Sequence, residues 1–301
     1  MSGTMRLVPI PASTPQPQAN PSTEQKVVLG KTLFFDPRLS GNNRISCASC
    51  HIPSKGFGDG KPLSSGFTGE KLARNTPTVL NTGFQRQLFW DGRTQSLEEQ
   101  ALMPIQSAQE MNQEMKELVR ELKATAEYPK LFLDAFDDGV TAENIAKALA
   151  SYERSLMSKP TDFDKYLKGD EQALSISARR GMELFEGDAG CIRCHNGPLL
   201  SDGKYYRLGV GRGDLGRGAV TNRREDRYRF RTPSLRDVSL TGPYMHDGSM
   251  NTLYQVVEYY YRGIPTRGPE GLDLDVEPLS DRSFTEIDDL VAFLKALTSS
   301  E

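Results

Sequence analysis

Residues 47–51 read Cys-Ala-Ser-Cys-His, and the same pattern returns at residues 191–195 as Cys-Ile-Arg-Cys-His. Cys-x-x-Cys-His is the attachment signature of c-type haem, in which both thiols bind one porphyrin and the adjacent imidazole binds its iron. The two copies use all four cysteines and two of the three histidines. We therefore predict two covalent haems c, with attachment and iron-binding residues Cys47, Cys50, His51, Cys191, Cys194 and His195.

Two other uses of paired Cys-x-x-Cys fit the spacing less well. The cysteine pairs of a zinc ribbon usually lie within roughly 15 to 20 residues of each other. Here Cys50 and Cys191 are 141 positions apart (191 − 50). A redox dithiol, in turn, does not require a histidine directly after both pairs. Haem attachment accounts for both the spacing and the histidines.

Composition limits the classes of protein that the chain can belong to. Its 301 residues suffice for one large or two ordinary domains, and the duplicated haem motif favours two. A net charge of −3 with a pI of about 5.8 gives no electrostatic case for nucleic-acid binding. With 37% hydrophobic residues and no run of 18 apolar residues, we expect no membrane span.

The N-terminal region predicts location and an extended arm. Haem c is attached outside the bacterial cytoplasm, so we expect a periplasmic protein. Residues 1–8 contain no apolar signal-peptide core, and we expect that a leader has been removed. Residues 9–21 are rich in proline, which predicts an extended segment, and we assign residues 1–22 to this arm.

Periodicity and breakers predict a mainly α protein with few strands. A first helix starts at Thr23 and ends before Pro37, because proline cannot continue it. Residues 197–231 form a long loop rich in glycine and arginine. Further helices are predicted at Leu97–Leu102, Gln109–Ala124, Pro129–Phe136, Ala142–Met157, Ile176–Phe185, Thr252–Tyr261 and Phe284–Leu297.

The two halves of the chain repeat each other around a boundary at Lys159-Pro160-Thr161. Residues 76–80 match residues 232–236, and residues 90–92 match residues 246–248, both at an offset of 156 (233 − 77, 246 − 90). Residues 30–34 and 181–185 also match, ahead of each haem motif. We predict two tandem cytochrome c-like domains, at residues 23–160 and 161–301, built from one haem-binding unit used twice.

The opposite faces of the two irons are predicted to differ. One histidine remains, so the two haems cannot both have two histidine ligands. The offset of 156 carries Pro104 onto Tyr260 (260 − 104). Proline offers iron no side-chain ligand, whereas tyrosinate is a hard ligand that favours ferric and higher oxidation states. One iron would then be open and one closed; alternatively, Tyr260 simply packs in a core.

Besides Pro104, two residues on the first-haem side and the tryptophan Trp90 are further candidates. A carboxylate with a raised pKa, such as Glu110, can move a proton during peroxide O–O cleavage, and Gln100 can hydrogen-bond the peroxide. Glu110 could instead complete a capping box that starts at Ser107. Trp90, the only tryptophan, could relay electrons between the haems or pack in a core.

These features together resemble the bacterial dihaem cytochrome c peroxidase and MauG-like family over residues 23–298. The resemblance rests on both haem motifs and on residues 74–78 (Arg-Asn-Thr-Pro-Thr), 89–93 (Phe-Trp-Asp-Gly-Arg), 96–100 (Ser-Leu-Glu-Glu-Gln) and 241–248 (Thr-Gly-Pro-Tyr-Met-His-Asp-Gly). It implies two cytochrome c-like domains with calcium at their interface, bound by Asn75, Thr241 and Pro243. It further implies an inter-haem role for Trp90, peroxide handling by Gln100 and Glu110, a distal-pocket role for Pro104, and a structural role for His246.

Two departures place the chain nearer the MauG-like branch of that family. Ordinary peroxidases of the family carry methionine on the second haem and usually a histidine that closes the first. Here Tyr260 lies fourteen residues beyond His246 (260 − 246), and no spare histidine precedes His195. The resemblance then implies that the diferric enzyme meets hydrogen peroxide directly, shares two oxidising equivalents between both haems and oxidises a partner protein.

One departure points the other way, and two other functions stay open. The quinone-cofactor maturase has a surface tryptophan just before its second haem motif, where this chain has Asp-Ala-Gly at 188–190. The chain could instead be a cytochrome c peroxidase that detoxifies peroxide with electrons from a small redox protein. A third reading, from another class, is a dihaem electron carrier without catalysis, which requires both irons to be six-coordinate.

Overall fold

Helices dominate the computed structural model, which describes residues 5–211, 213–262 and 284–299. The predicted mainly α class is confirmed. Residues 1–4 of the predicted arm and residues 263–283 of the predicted second domain lie outside the described residues. The elements are α1 Glu24–Phe34, α2 Cys47–Cys50, α3 Leu97–Gln106, α4 Met115–Ala124, α5 Tyr128–Ala135, α6 Ala142–Ser155, α7 Asp162–Leu167, α8 Ile176–Glu186, β1 Tyr205–Tyr206, α9 Arg217–Thr221, β2 Phe230–Arg231, α10 Leu253–Tyr261 and α11 Phe284–Ala296; β1 and β2 pair antiparallel.

Hydroxyl side chains set the beginning of many of these helices. A serine or threonine at the N-cap accepts a hydrogen bond from one of the first helical N–H groups, which have no partner within the helix. This explains why the predicted helices 142–157, 176–185 and 252–261 agree with the structure within two residues at each end. The capping residues are Thr23, Ser96, Thr141, Thr161, Ser175 and Thr252.

The predicted helix 109–124 is wrong in its first six residues, because α4 begins only at Met115. The carbonyl of Gln109 accepts a hydrogen bond from the Phe67 N–H at 2.9 Å, and that of Met111 accepts one from the Gly41 N–H at 2.9 Å. Asn112 has a φ of +48°. These long-range hydrogen bonds and the left-handed backbone at Asn112 interrupt the helical pattern before Met115.

Two large apolar clusters in the described interior follow the two halves of the sequence, and a third, small cluster consists of Leu88, Leu97 and Ala150. The first contains Leu29, Leu33, Phe34, Leu118, Phe132, Ile145 and Leu149 among others. The second contains Phe163, Phe185, Val257, Leu290 and Phe293, with Leu7 from the N-terminal arm. The same arm also reaches the first half, where the Asn20 amide donates to Glu98 and to the Lys147 carbonyl.

The same helix-on-helix contact occurs in both halves. Gly30 of α1 lies so close to α6 that a Cβ on it would be 2.0 Å from the Ala148 carbonyl oxygen. Gly181 of α8 is placed likewise, 1.9 Å from the Asp289 carbonyl oxygen of α11. Four residues after each glycine, a phenylalanine ring lies 6.3 or 6.4 Å from the haem-motif histidine: Phe34 by His51, and Phe185 by His195. The sequence repeat therefore has a structural counterpart.

We expect Gly30→Ala to destabilise the protein by about 1–3 kcal/mol, because the added methyl group must push α1 away from the α6 backbone. The neighbouring Lys31 is exposed, so Lys31→Ala serves as the matched control and should leave stability within about 0.5 kcal/mol. Thermal unfolding of the haem-loaded proteins measures both. Equal stability of Gly30→Ala and the parent would contradict the close approach of the two helices.

Candidate haem sites

His51 lies at the C-terminal end of α2, with its backbone N–H bonded to the Cys47 carbonyl at 2.9 Å. Its ring Nδ1 lies 3.0 Å from the Phe57 carbonyl oxygen. A carbonyl only accepts, so Nδ1 carries the proton and Nε2 keeps its lone pair for a metal. Burial lowers the pKa of His51, which keeps the imidazole neutral, as an iron ligand must be.

His195 repeats this arrangement in the second half. Its Nδ1 lies 2.9 Å from the Leu200 carbonyl oxygen, and burial again lowers its pKa. Phe57 and Leu200, which supply the two accepting carbonyls, both have positive φ, at +57° and +49°. The two loops thus turn in the same left-handed way to bring a carbonyl to the imidazole.

A cavity opens beside each histidine. The first, of about 790 Å³, is lined by His51, Cys47 and Cys50; the second, of about 310 Å³, is lined by His195, Cys191 and Cys194. The four thiols form no disulfide. An oriented neutral imidazole, two thiols and an adjoining cavity fit a covalently attached haem c at each site.

Gln100, Pro104 and Glu110 all line the first cavity together with His51. Gln100 and Pro104 lie one turn apart on α3, and Pro104 provides no N–H for the carbonyl of Gln100. Burial raises the pKa of Glu110, and this effect exceeds the lowering by the Ser107 hydroxyl and by Arg93. The alternative that Glu110 starts a helix is wrong, since α4 begins five residues later at Met115.

Tyr260 lines the second cavity with His195. It lies seven positions after the first residue of α10, as Pro104 does in α3 (260 − 253, 104 − 97). Both helices begin after a hydroxyl N-cap, Ser96 or Thr252, again 156 apart (252 − 96). Burial, followed by the nearby Cys191 and Cys194, raises the pKa of the Tyr260 phenol.

Trp90 lies between the two sites, because it lines both cavities. Its indole Nε1 donates to the Asn75 carbonyl at 2.9 Å, and its ring meets His246 edge-on at 6.5 Å. His246 is buried and stacks on Phe230, with ring centroids 3.6 Å apart. Trp90 is half-buried and is not among the residues of the three apolar clusters.

The three expected calcium ligands, Asn75, Thr241 and Pro243, line the second cavity. The Asn75 amide donates to the carbonyls of Lys61 and Pro62 at 2.9 and 3.2 Å, which leaves its oxygen to accept or to bind a cation. Amide and carbonyl oxygens suit calcium. Within the described ranges, no cluster of three or more His, Cys, Asp or Glu side chains could hold a metal ion.

Two residues of the cavities were missed by sequence reasoning. Met245 lines the second cavity and is a possible sulfur ligand, but its place beside His246 in the sequence carries no such signal. Glu153 lines the first cavity, is 5% exposed, and its Oε2 has no hydrogen-bond partner. Ile145, Leu149 and Glu153 follow one another at intervals of four residues, which places a carboxyl group on the apolar stripe of α6, a signal that could have revealed it.

Two Cys-x-x-Cys-His sites with oriented histidines and adjoining cavities define this chain as a c-type haem protein. The sequence profile of the di-haem cytochrome c peroxidase family matches residues 24–172. Together with the full-length similarities below, this match shows that the chain belongs to that family, and it is therefore a di-haem peroxidase enzyme.

Relatives with two kinds of name match nearly the whole chain. The methylamine utilization protein MauG of Methylorubrum extorquens is 44% identical over 95% of this chain and 82% of its own length. The cytochrome-c peroxidase IdrP1 of Pseudomonas sp. (strain SCT) is 39% identical over 98% of this chain and 86% of its own. A solved MauG-like protein associated with microbial copper homeostasis superimposes with a TM-score of 0.88, at 32% identity, over 96% of this chain and 94% of that one.

Family membership thus leaves open whether the reductant is a protein side chain or a small redox protein, because both kinds of relative match at similar identity. None of the helices in the described part of the chain is long and apolar enough to cross a bilayer.

Glu153 predicts a pH dependence of stability. Burial raises its pKa from 4.5 to about 8, with Arg154 lowering it and Glu98 raising it. Between these two values the unfolded chain binds fewer protons than the folded one, so the free energy of unfolding falls as pH rises through this window. Glu153→Gln should flatten that fall, whereas Glu143→Gln, at an exposed position on the same helix, should not. Unfolding midpoints of the haem-loaded proteins from about pH 5 to 8.5 measure it; equal slopes in all three would show that Glu153 is ionised when folded.

Proposed function

We propose that this chain is a periplasmic, hydrogen-peroxide-dependent di-haem oxidase that oxidises a partner protein. In this proposal residues 23–160 and 161–301 are two tandem cytochrome c-like domains, each with one covalent haem c. The observation that carries the proposal is the asymmetry of equivalent helices: α3 offers Pro104 to the first cavity where α10 offers Tyr260 to the second.

The first site is the one that suits peroxide. Its cavity is the larger, about 790 against 310 Å³. Among its lining residues His51 is the only histidine, and the one methionine, Met111, is 3% exposed and packed in the first apolar cluster. Pro104 has no donor atom for iron. An iron held by His51 would therefore keep its other face free for peroxide.

Gln100 and Glu110 would manage the peroxide. Bound haem iron supplies the electrons that reduce peroxide and stores the resulting oxidising equivalents. The Gln100 amide orients the peroxide by hydrogen bonding. Glu110, whose pKa is raised by burial, takes the proton from the near oxygen and delivers it to the leaving oxygen. Trp90, lining both cavities, offers the link to the second site.

Tyr260 would supply a second protein ligand to the iron held by His195. A tyrosinate ligand favours ferric and higher oxidation states over ferrous iron. The phenol must lose its proton to bind, and the positive iron charge offsets the burial that raises its pKa. This choice of ligand supports the storage of oxidising equivalents and hence the oxidation of a tryptophan or tyrosine in a partner protein.

The main alternative is detoxification of peroxide with electrons from a small redox protein, as the name cytochrome-c peroxidase says of one relative. A plain electron carrier would need two ligands from the protein on each iron, and Pro104 in the first cavity argues against this function because proline has no donor atom for iron.

We also propose that calcium binds at Asn75, Thr241 and Pro243. Elemental analysis of the purified protein would measure the calcium.

Mixing the diferric protein with one equivalent of peroxide, without reductant, should give a rapid and persistent change in the visible and near-infrared spectrum that involves both haems.

Tyr260→Met should raise the potential of the second haem and shorten the life of this oxidised state. The matched control is Met245→Leu, which removes a sulfur ligand candidate from the second cavity. Stopped-flow spectra and potentiometric titration measure these effects. A parent protein that reacts only after one-electron reduction would favour the ordinary peroxidase, and an unchanged potential in Tyr260→Met would exclude Tyr260 as the ligand.

Glu110→Gln should slow peroxide activation by roughly 10²- to 10⁴-fold, since an amide cannot shuttle the proton. Both haems should remain attached, because Glu110 is remote in sequence from either motif. Glu99→Gln, an exposed position on α3, is the control and should behave as the parent. Stopped-flow rates of peroxide reaction decide the matter; full activity in Glu110→Gln would remove Glu110 from the chemistry.

A further inference from the structure

Tyr206 on β1 is a tyrosine at the second haem site that the proposed chemistry does not yet use. Its side chain lines the second cavity and is within hydrogen-bond reach of Cys194. Cys194 is the thiol that would carry the porphyrin, so Tyr206 lies beside the attachment point of the second haem. This position suits electron transfer between the side chain and a bound haem.

Tyr206 differs from Tyr244, another tyrosine of this cavity, in the acceptor of its hydrogen bond. Its hydroxyl donates to the Asp202 carboxylate at 2.7 Å. Tyr244, which also lines the cavity, donates to the Val238 carbonyl instead, and a carbonyl does not take up a proton near neutral pH. Asp202 presents a carboxylate, so of these two tyrosines only Tyr206 donates its phenolic proton to a carboxylate oxygen.

We propose that Tyr206 is the residue through which oxidising equivalents leave the second haem for the partner protein, with Asp202 accepting and returning the phenolic proton. This inference rests on the proposed function, and it specifies the exit of the same reaction. Tyr206 gives one electron to the oxidised second site, while its O–H proton moves to Asp202. One electron from a partner side chain then reduces the neutral tyrosyl radical, and Asp202 returns the proton. Two such cycles use the two oxidising equivalents of one hydrogen peroxide.

Electrostatics favours loss of the electron and of the phenolic proton of Tyr206 together. Burial, followed by the hydrogen bonds to Asp202 and Cys194, raises the pKa of Tyr206, so the resting side chain is a phenol. Removal of an electron alone would leave a cationic phenol at a partly buried site, which is costly. Transfer of the proton along the existing hydrogen bond avoids that charge.

The position of Tyr206 also suits delivery to a partner. Gly203 and Lys204, between Asp202 and the strand, are exposed. Asp188 and Arg193 are exposed and line the same cavity, so this cavity reaches the protein surface. Residues 188–190 contain no aromatic residue, whereas Tyr206 lines this cavity and is partly exposed. This exposure suits approach by a partner side chain.

The neighbouring Tyr205 provides a matched control. It lies on the same strand, but its hydroxyl donates to the Gln87 amide oxygen at 2.6 Å and it lines neither cavity. Tyr205→Phe and Tyr206→Phe each remove one hydroxyl from β1. Only the second removes a phenol that contacts Cys194 and has a carboxylate to take its proton.

The experiment treats the diferric holoprotein with one equivalent of peroxide and follows it by stopped flow and by freeze-quench electron paramagnetic resonance. The parent should develop a tyrosyl signal that narrows when the protein carries ring-deuterated tyrosine. Tyr206→Phe should form the initial oxidised spectrum at the parent rate, lack that signal, and pass its equivalents to ferrocyanide, the probe reductant, roughly tenfold more slowly. Asp202→Asn should slow this transfer similarly, and Tyr205→Phe should match the parent.

The possible outcomes separate this inference from the proposed function. A normal initial peroxide spectrum in Tyr206→Phe with an unchanged radical signal and an unchanged ferrocyanide rate would overturn the role of Tyr206. An equal loss in Tyr205→Phe would overturn it as well, because the effect would then come from disturbing β1. Failure of the diferric parent to react with peroxide would overturn the proposed function itself, and this inference with it.

Discussion

Each haem site depends on one hydrogen bond, from the Nδ1–H of a histidine to a backbone carbonyl. The bond from His51 to Phe57 and that from His195 to Leu200 determine which ring nitrogen is left for iron and how the ring is turned. Both accepting carbonyls belong to residues with positive φ, so each loop must turn in a conformation that most side chains avoid. The phenylalanine that follows the close-packed glycine in each half holds the ring from its other side. A duplicated scaffold thus prepares two equivalent proximal sides.

Function arises where the two copies differ. The helices α3 and α10 begin at equivalent hydroxyl caps and therefore carry their eighth residues to equivalent places, yet one of these residues is proline and the other tyrosine. As a result, a side chain without a donor atom lines the first cavity, and a phenol lines the second at the equivalent position. Trp90, bonded through its indole to the Asn75 carbonyl and set against His246, occupies the space between them. The two cavities thus differ through single residues at equivalent positions of a repeated unit.

Sequence patterns anticipated the helices well where a hydroxyl cap or an apolar stripe defined them, as at Thr141 and Thr252. They failed at residues 109–114, because the backbone there bonds to loops that are distant in sequence. The capping-box pattern at Ser107 and Glu110 was misleading for a related reason: local chemistry allowed a helix start, but the neighbouring carbonyls of Gln109 and Met111 bind distant loops. Glu153 is the reverse case. Its place on the apolar stripe of α6 is visible in the sequence, but only the structure shows that its side chain is buried and lines a cavity.

The sequence by itself determined the chemistry of attachment, the duplication and the inequality of the two halves, because Cys-x-x-Cys-His and the offset between Pro104 and Tyr260 are properties of order and spacing. Only the tertiary structure decided that Gln100, Pro104 and Glu110 share one cavity with His51, that Trp90 borders both cavities, and that Tyr206 meets Cys194 and Asp202. Those relations join residues on separate helices, strands and loops. They follow from how the elements pack, and packing depends on long-range contacts that no local pattern contains.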